Sequence, residues 1–143
     1  MKKLLVALSF IIALVSTNVH AGEIYLGGNS VHIASSHATN QKHDFLALEY
    51  NNFVAGTFIN SYGDRTKIVG YKLHIDDFSS QYWQVAVVPS LTYGYHMCVG
   101  GDQPGPRIVC PAMPLEIQYT KYPIVPTFLI MPGAVVLLFS VKF

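Results

Sequence analysis

The strongest fold signal in the chain is Val135-Val136-Leu137-Leu138-Phe139-Ser140-Val141-Lys142-Phe143. Counting back from Phe143, every second residue is apolar, and Ser140 and Lys142 lie between apolar neighbours. An alternation with a period of two predicts a β-strand with one apolar face. A membrane β-barrel uses such a strand to present apolar and aromatic residues to lipid, whereas a soluble β-sandwich packs the same face against a second sheet. The pattern favours the barrel, with the sandwich as the alternative.

The opposite end of the chain has the pattern of a secretory signal peptide. Met1-Lys2-Lys3 is a basic start, and an apolar run follows it up to Val15. The pattern predicts a signal peptide at 1–21, cleavage after Ala21 and a mature chain at 22–143. The apolar run is shorter than the roughly 20 residues of a transmembrane helix. Export and a terminal strand of this kind together predict the bacterial outer membrane, with the barrel-assembly machinery as a partner during insertion.

The composition agrees with this location and excludes several functional classes. Charged residues make up only 12% of the chain, whereas typical soluble domains have about 25%. The net charge of +1 gives no reason to expect a nucleic-acid partner. No zinc spacing or phosphate-binding glycine loop is present, so we expect neither a metal nor a cofactor. The two cysteines, Cys98 and Cys110, predict a disulfide that closes a loop in an oxidising compartment.

The mature chain is expected to form a single domain, an eight-stranded antiparallel transmembrane β-barrel, as a monomer. An even number of strands leaves both ends of the chain in the periplasm and puts the longer connections outside the cell. A barrel this narrow is filled by side chains, so we do not expect a pore. The predicted strands are Glu23–Ala34, Phe45–Tyr50, Phe53–Tyr62, Thr66–Ile75, Trp83–Tyr95, Val109–Tyr119, Tyr122–Met131 and Ala134–Phe143.

Two groups with catalytic potential are expected at the outer rim of this barrel. His32 lies near the outer end of the first strand, and Asn60-Ser61 lies near the outer end of the third. A histidine and a serine on one rim are able to form a base and nucleophile pair, with Asn60 orienting or polarising it. The alternative is that these residues are merely polar and solvated. His37 and His43 are expected in the first outer loop as solvated residues rather than as metal ligands.

A family resemblance adds to the catalytic interpretation. The segment Phe58–Tyr71, with its Asn60-Ser61 and Gly70-Tyr71 pairs, resembles the part of the outer-membrane lipid A palmitoyltransferase (PagP) family that carries its catalytic Asp-Ser pair. His32 falls where that family keeps its catalytic histidine. The resemblance covers most of the mature chain, and uncharacterised relatives with Asn-Ser look more similar still. It implies transfer of an acyl chain from a phospholipid to lipid A, with His32, Asn60 and Ser61 as the catalytic residues.

The chain departs from that family at two positions that bear on activity. Asn60 stands in place of the family's aspartate, which removes a carboxylate that would stabilise a protonated histidine. Lys72 stands in place of a small glycine at the floor of the acyl pocket, near Gly70. The activity of the chain as an enzyme is therefore uncertain. The alternative function is a non-enzymatic outer-membrane barrel that acts through its extracellular loops, in surface modification or exclusion.

Several residues are expected to contact membrane lipids, either phospholipid or lipopolysaccharide. Arg65 and Lys67 are able to bind lipid phosphates through charge-assisted hydrogen bonds, and the alternative is that they are simply solvated residues at the rim. Prolines such as Pro114 and Pro132 have no N–H, so they predict weakened pairing between the sixth and seventh strands. The resembling family admits lipid chains sideways through gaps of this kind. The alternative is local bulging at the rim.

Lys72 is expected to point into the barrel. The alternation places Val69 and Tyr71 on the outer, apolar face and Lys72 on the inner face. A buried ammonium group without a partner costs several kcal/mol, so it should pair with a carboxylate or extend upward to the rim. The mid-strand acids Glu49 and Glu116 are the expected partners. A paired Lys72 would fill part of the interior and favour acyl chains shorter than palmitate.

Overall fold

The computed structural model describes residues 22–33, 40–98 and 105–143. The predicted signal peptide and His37 lie outside these residues, so cleavage after Ala21 stays a prediction. The described residues form eleven β-strands: β1 (Glu23–His32), β2 (Lys42–Tyr50), β3 (Phe53–Ile59), β4 (Arg65–Tyr71), β5 (Leu73–His74), β6 (Trp83–Val87), β7 (Ser90–Tyr95), β8 (Ile108–Ala112), β9 (Leu115–Tyr119), β10 (Ile124–Met131) and β11 (Ala134–Lys142).

All of these strands belong to one curled antiparallel sheet, which confirms the prediction of an all-β fold. The order of the strands is β5-β6-β9-β10-β11-β1-β2-β3-β4-β7-β8. The first and last strands are neighbours, because β1 pairs with β11 on one side and with β2 on the other. A single 3₁₀ turn, Asp76–Phe78, is the only helical element in the described residues. None of the helical structure described is long and apolar enough to span a membrane.

The structure has eleven strands where the sequence predicts eight, because three of the predicted strands are interrupted. Lys72 separates β4 from β5, and its amide donates to the carbonyl of Asn52 at 2.7 Å. The break between β6 and β7 contains Pro89, and the break between β8 and β9 contains Pro114. Proline has no N–H to donate to a neighbouring strand, which explains the last two interruptions.

A β-bulge in β1 determines which side chains of this strand face inward. Gly27-Gly28 forms the bulge, with φ angles of +81° and +117° that glycine adopts without strain. Before the bulge Glu23 and Tyr25 are buried, and after it Ser30 is buried and His32 is half-buried. The inward positions therefore change from odd to even numbers. Without the bulge, the alternation would turn Ser30 and His32 to the outside.

The inner side of the curled sheet is rich in polar groups, whereas the outer side is apolar. In β11, Ser140 is fully buried while Phe139 is 46% exposed, as the alternation in this strand predicts. Soluble domains normally show the reverse distribution on their buried and exposed faces. Outward-facing strand residues that are exposed include Leu26, Val31, Leu46, Leu48, Val69, Leu73, Leu91, Val109, Ile124, Leu137 and Val141.

Lys72 lies inside the curled sheet at the centre of a polar network, as the sequence predicts. Its ammonium group is 2.6 Å from Glu116 and 2.9 Å from Glu23, and all three side chains are at most 3% exposed. It also donates to the hydroxyl of Tyr25 at 2.8 Å. The expected pairing with Glu116 is confirmed. The alternative partner, Glu49, instead accepts a hydrogen bond from a turn amide.

Candidate functional site

A cavity of about 350 Å³ opens at the end of the sheet where β1 ends and β2 begins. Its walls come from β1, β2, β3, β4, β7, β8, β10 and β11, together with the turns that follow β3 and β10. Most of its lining is apolar, with serine, threonine and histidine side chains as the main polar groups. Its lining includes Ser30, His32, His43, Phe45, Phe58, Ser61, Ser90, Pro114, Leu129, Pro132 and Val136.

His32 and Ser61 meet at this cavity. The Nε2 atom of His32 is 2.8 Å from the Oγ atom of Ser61, which is hydrogen-bonding distance. His32 reaches the cavity because the bulge in β1 turns it inward, and Ser61 lies in the turn that follows β3. The sequence predicts both residues on one rim, and the structure brings their side chains into direct contact. A serine hydroxyl bonded to an imidazole has the geometry of a nucleophile and its base.

Asn60 acts on the backbone of this turn and does not contact His32. It is 1% exposed, and its Oδ1 atom accepts hydrogen bonds from the amides of Tyr62 at 2.9 Å and Asp64 at 3.0 Å. Its Nδ2 atom donates to the carbonyl of Gly94 at 3.3 Å. An aspartate is unable to make the last bond when ionised, because it has no donor. Asn60 therefore holds the turn that presents Ser61.

Two buried polar residues next to the His32–Ser61 pair, Ser30 and His43, were not predicted from the sequence. His43 is 5% exposed in β2, so its assignment to a solvated loop is wrong. Its Nε2 atom lies 2.7 Å from the Oγ atom of Ser30, which is itself 4% exposed. The signal that would have placed His43 inside is the inward alternation of Phe45, Ala47 and Glu49, which extends back to position 43. For Ser30 the necessary information is the bulge, which sequence reasoning did not include.

The lower wall of the cavity is apolar and does not include Gly70 or Lys72. Phe45 and Phe58 stack with ring centroids 5.3 Å apart and form one side of it. Lys72 instead lines a second cavity at the opposite end of the sheet, next to Asn52. A Cβ atom at Gly70 would lie 2.8 Å from the Cβ atom of Ser90, so glycine is needed there for the close approach of β4 and β7. Gly70, which was expected to contact lipid, therefore serves the pairing of the sheet, and Lys72, which was expected at the floor of the acyl pocket, lines the second cavity.

The wall of the first cavity is interrupted between β8 and β10. In the described residues β8 pairs only with β7, while β10 pairs with β9 over the four positions Thr127 to Ile130. Pro114 lies at this interruption, and Pro132 lies in the turn after β10. Both prolines line the cavity. The predicted weakening between these parts of the chain is confirmed, and it leaves the cavity without a hydrogen-bonded wall on this side.

The other predicted residues lie at the same end of the sheet as the cavity, but not all of them line it. Arg65 and Lys67 are exposed on the outer face of β4, the face opposite the cavity. The predicted disulfide between Cys98 and Cys110 is present, and both cysteines line the cavity. Asp64 lies close by and is bound by Arg107 at 2.9 Å and by His96 at 3.3 Å. Its carboxylate is thus directed to that cluster and not to His32.

Together these contacts give an apolar cavity with a serine–histidine pair at its mouth. Among the residues that the structure describes, no cluster of His, Cys, Asp and Glu is arranged to hold a metal ion. No model of a known protein family matches the chain, and a search of the curated proteins found no match either. The geometry of the site, a serine hydroxyl bonded to an imidazole beside an apolar cavity, is that of a nucleophile and its base.

Proposed function

We propose that this chain is an eight-stranded outer-membrane β-barrel that transfers an acyl chain from a phospholipid to lipid A in the outer leaflet. The observation that carries the enzymatic part is the 2.8 Å contact between His32 Nε2 and Ser61 Oγ at the mouth of an apolar cavity. The barrel and its membrane location rest on separate observations, namely the strand pairings and the apolar outer face of the sheet.

The strand pairings support a closed barrel of eight strands. Three pairs of strands are each separated by only one or two residues along the chain: β4 and β5, β6 and β7, and β8 and β9. When each pair is counted as one strand, every strand pairs with its neighbours in chain order, and the last pairs with the first. Such a ring gives every strand counted in this way a partner on both sides, as strands in a lipid bilayer require, and leaves unpaired only the outer edges of the short strands β5 and β8.

The outer surface supports a membrane location. Its strands expose apolar side chains while the interior holds paired acids, a lysine and hydroxyl groups, which is the polarity expected of a barrel in lipid. At the end of the sheet opposite the His32–Ser61 pair, large aromatic side chains face outward. Aromatic belts of this kind lie at the membrane interface. These aromatic residues are Tyr50, Phe53, Tyr71, Trp83, Tyr119 and Tyr122.

The proposed reaction has two steps. In the first, Ser61 Oγ attacks the ester carbonyl of the phospholipid while His32 Nε2 takes the serine proton, and His32 then returns this proton to the departing glycerol oxygen. In the second, His32 removes a proton from a hydroxyl group of lipid A, and that oxygen attacks the acyl-serine. The proton passes back to Ser61, so the enzyme is regenerated and no cofactor is consumed.

The position of the cavity suits a substrate that arrives from the membrane. The acyl chain would enter through the interruption between β8 and β10, beside Pro114, without leaving the apolar phase. Arg65 and Lys67 are exposed on the outer face at the same end of the sheet as Ser61, where phosphate groups of lipid A would lie. Charge-assisted bonds to these phosphates would hold the acceptor near the mouth.

Mass spectrometry of lipid A from bacteria that express the chain, in a host without its own lipid A acyltransferase, tests the proposal. The native chain should add one acyl group, and Ser61→Ala should abolish the addition because no other hydroxyl replaces the nucleophile. Ser79→Ala is the matched control, because Ser79 is also a half-buried turn serine but lies near the opposite end of the sheet.

Two results would contradict the enzymatic proposal. One is unchanged lipid A with a native chain that migrates as a folded barrel in heat-modifiability gels. The other is an acyl group that persists in Ser61→Ala. Either result would favour the alternative of a non-enzymatic barrel that acts through its outer loops. Recovery of the chain in the soluble periplasm would contradict the membrane location as well.

A further inference from the structure

The hydrogen bonds around His32 continue past Ser61 into the interior. His32 Nδ1 is 3.5 Å from Ser30 Oγ, Ser30 Oγ is 2.7 Å from His43 Nε2, and His43 Nδ1 is 2.7 Å from the carbonyl oxygen of Ile59. With the Ser61 contact, four links run in series from the candidate nucleophile to the backbone of β3. The acyl transfer proposed above uses only the first link and leaves Ser30 and His43 without a role.

The last acceptor sets the direction of all four bonds. A carbonyl oxygen only accepts, so the Nδ1 atom of His43 carries the proton and its Nε2 atom is the acceptor in the neutral ring. The hydroxyl of Ser30 then donates to His43, which leaves its oxygen lone pair to accept from Nδ1–H of His32. The Nε2 atom of His32 is consequently free of a proton and accepts from Ser61. Each ring is fixed in the tautomer with the proton on Nδ1.

We propose that Ser30 and His43 are positioning residues that hold His32 in the Nδ1–H tautomer and so keep its Nε2 atom ready to accept the proton of Ser61. This inference rests on the proposed role of Ser61 as nucleophile. In Ser–His–Asp systems a carboxylate holds the histidine in the correct tautomer, and its loss lowers the rate about 10⁴-fold. Here a buried hydroxyl and a second imidazole would do the same.

The surroundings explain why such a device is needed. Among the described residues no carboxylate contacts His32, since Asp64 is bound by Arg107 and His96 and Asn60 is engaged with the turn backbone. When His32 takes the serine proton, its positive charge faces a row of dipoles that all point the same way. Aligned hydrogen bonds strengthen one another in a medium of low dielectric constant. The row therefore turns the negative ends of its dipoles toward His32 without burying a negative charge.

The tautomer is measurable without any substrate. ¹⁵N NMR of the histidine side chains, with the full chain folded in detergent micelles at pH 8, distinguishes a protonated Nδ1 from a protonated Nε2. The native chain should show His32 and His43 with the proton on Nδ1. Ser30→Ala should remove this preference at His32, and Ser30→Thr should restore it because the hydroxyl is retained. Ser140→Ala is the control, because Ser140 is equally buried but lies outside the cavity.

The reactivity of Ser61 gives the second readout, from the rate at which a fluorophosphonate probe labels it. Ser30→Ala should slow labelling roughly 10- to 100-fold, less than the loss of a carboxylate, because a neutral hydroxyl bonds more weakly than a charged group. The proposal is overturned if native His32 carries its proton on Nε2, or if Ser30→Ala leaves both tautomer and labelling rate unchanged. A third outcome is that the tautomer of His32 depends on Ser30 but the probe does not label Ser61. This outcome would support the positioning role and refute the acyl transfer.

Discussion

Replacing Lys72 with methionine should destabilise the protein strongly. Methionine has a similar volume but no charge, so the substitution leaves the carboxylates of Glu23 and Glu116 buried without their common partner. These carboxylates are 2.9 Å and 2.6 Å from the ammonium group, and neither side chain is more than 3% exposed. Breaking a buried ion pair by removing one partner costs about 3–5 kcal/mol. We expect a loss in the free energy of unfolding of this size for Lys72→Met.

Removing all three charges together should restore most of the stability. Buried ion pairs replaced as a unit by uncharged groups of similar volume are often neutral or stabilising. The triple variant with Lys72→Met, Glu23→Gln and Glu116→Gln should therefore unfold close to the native chain. Lys121→Met is the control, because Lys121 is exposed and contacts two aromatic rings from outside. Exposed charges of this kind contribute about 1 kcal/mol or less.

Urea unfolding in detergent micelles or vesicles, followed by tryptophan fluorescence and heat-modifiable migration, measures these differences. The single Trp83 lies in β6, which is paired with the strand that carries Glu116, so its signal reports on this part of the sheet. A change below about 1 kcal/mol for Lys72→Met would refute the buried network as described. So would a triple variant that is less stable than the single one.

Two further predictions concern the cavity. Asn60→Asp should lower the free energy of unfolding by about 1–3 kcal/mol, because it loses the hydrogen-bond donor to the Gly94 carbonyl. The substitution should not speed acyl transfer. A faster Asn60→Asp enzyme would contradict the assignment of Asn60 to the turn. A cavity of roughly 150 Å³ holds one benzene, which has six carbons. The cavity here is about 350 Å³, a little more than twice that volume. Mass spectrometry should therefore find added acyl chains of about 12–14 carbons. Phe58→Ala should lengthen the added acyl chains, because Phe58 lines this cavity, and Lys72→Gly should not, because Lys72 lines the second cavity. The opposite result would mean that Lys72, and not Phe58, forms the floor of the acyl-binding cavity.

The sequence was sufficient where a feature depends on one strand and its immediate alternation. The inward direction of Lys72 and Ser140 and the outward direction of Phe139 follow from a period of two, and the structure agrees. The loop disulfide also follows from local information, because only two cysteines are available. These predictions hold because a β-strand turns successive side chains to opposite faces whatever the rest of the chain does.

Predictions failed or stopped short where a second segment decides the outcome. Glu23 was not among the expected partners of Lys72, because it begins β1 and the expected partners were mid-strand acids; only the pairings of β1 bring it to the same layer as Lys72. The interruptions that turn eight predicted strands into eleven depend in part on which amides find partners across the sheet. Neither kind of information is contained in local periodicity.

The sequence by itself determined that this chain forms an antiparallel β-sheet with a polar inner face and an apolar outer face, because alternation is a local property of the strand. Only the tertiary structure decided that the side chains of His32 and Ser61 touch and that Ser30 and His43 extend their contact. The physical reason is the bulge at Gly27-Gly28. One extra residue there, relative to β11, reverses the inward face of β1, so the site exists only when β1 is paired with the strands on either side of it.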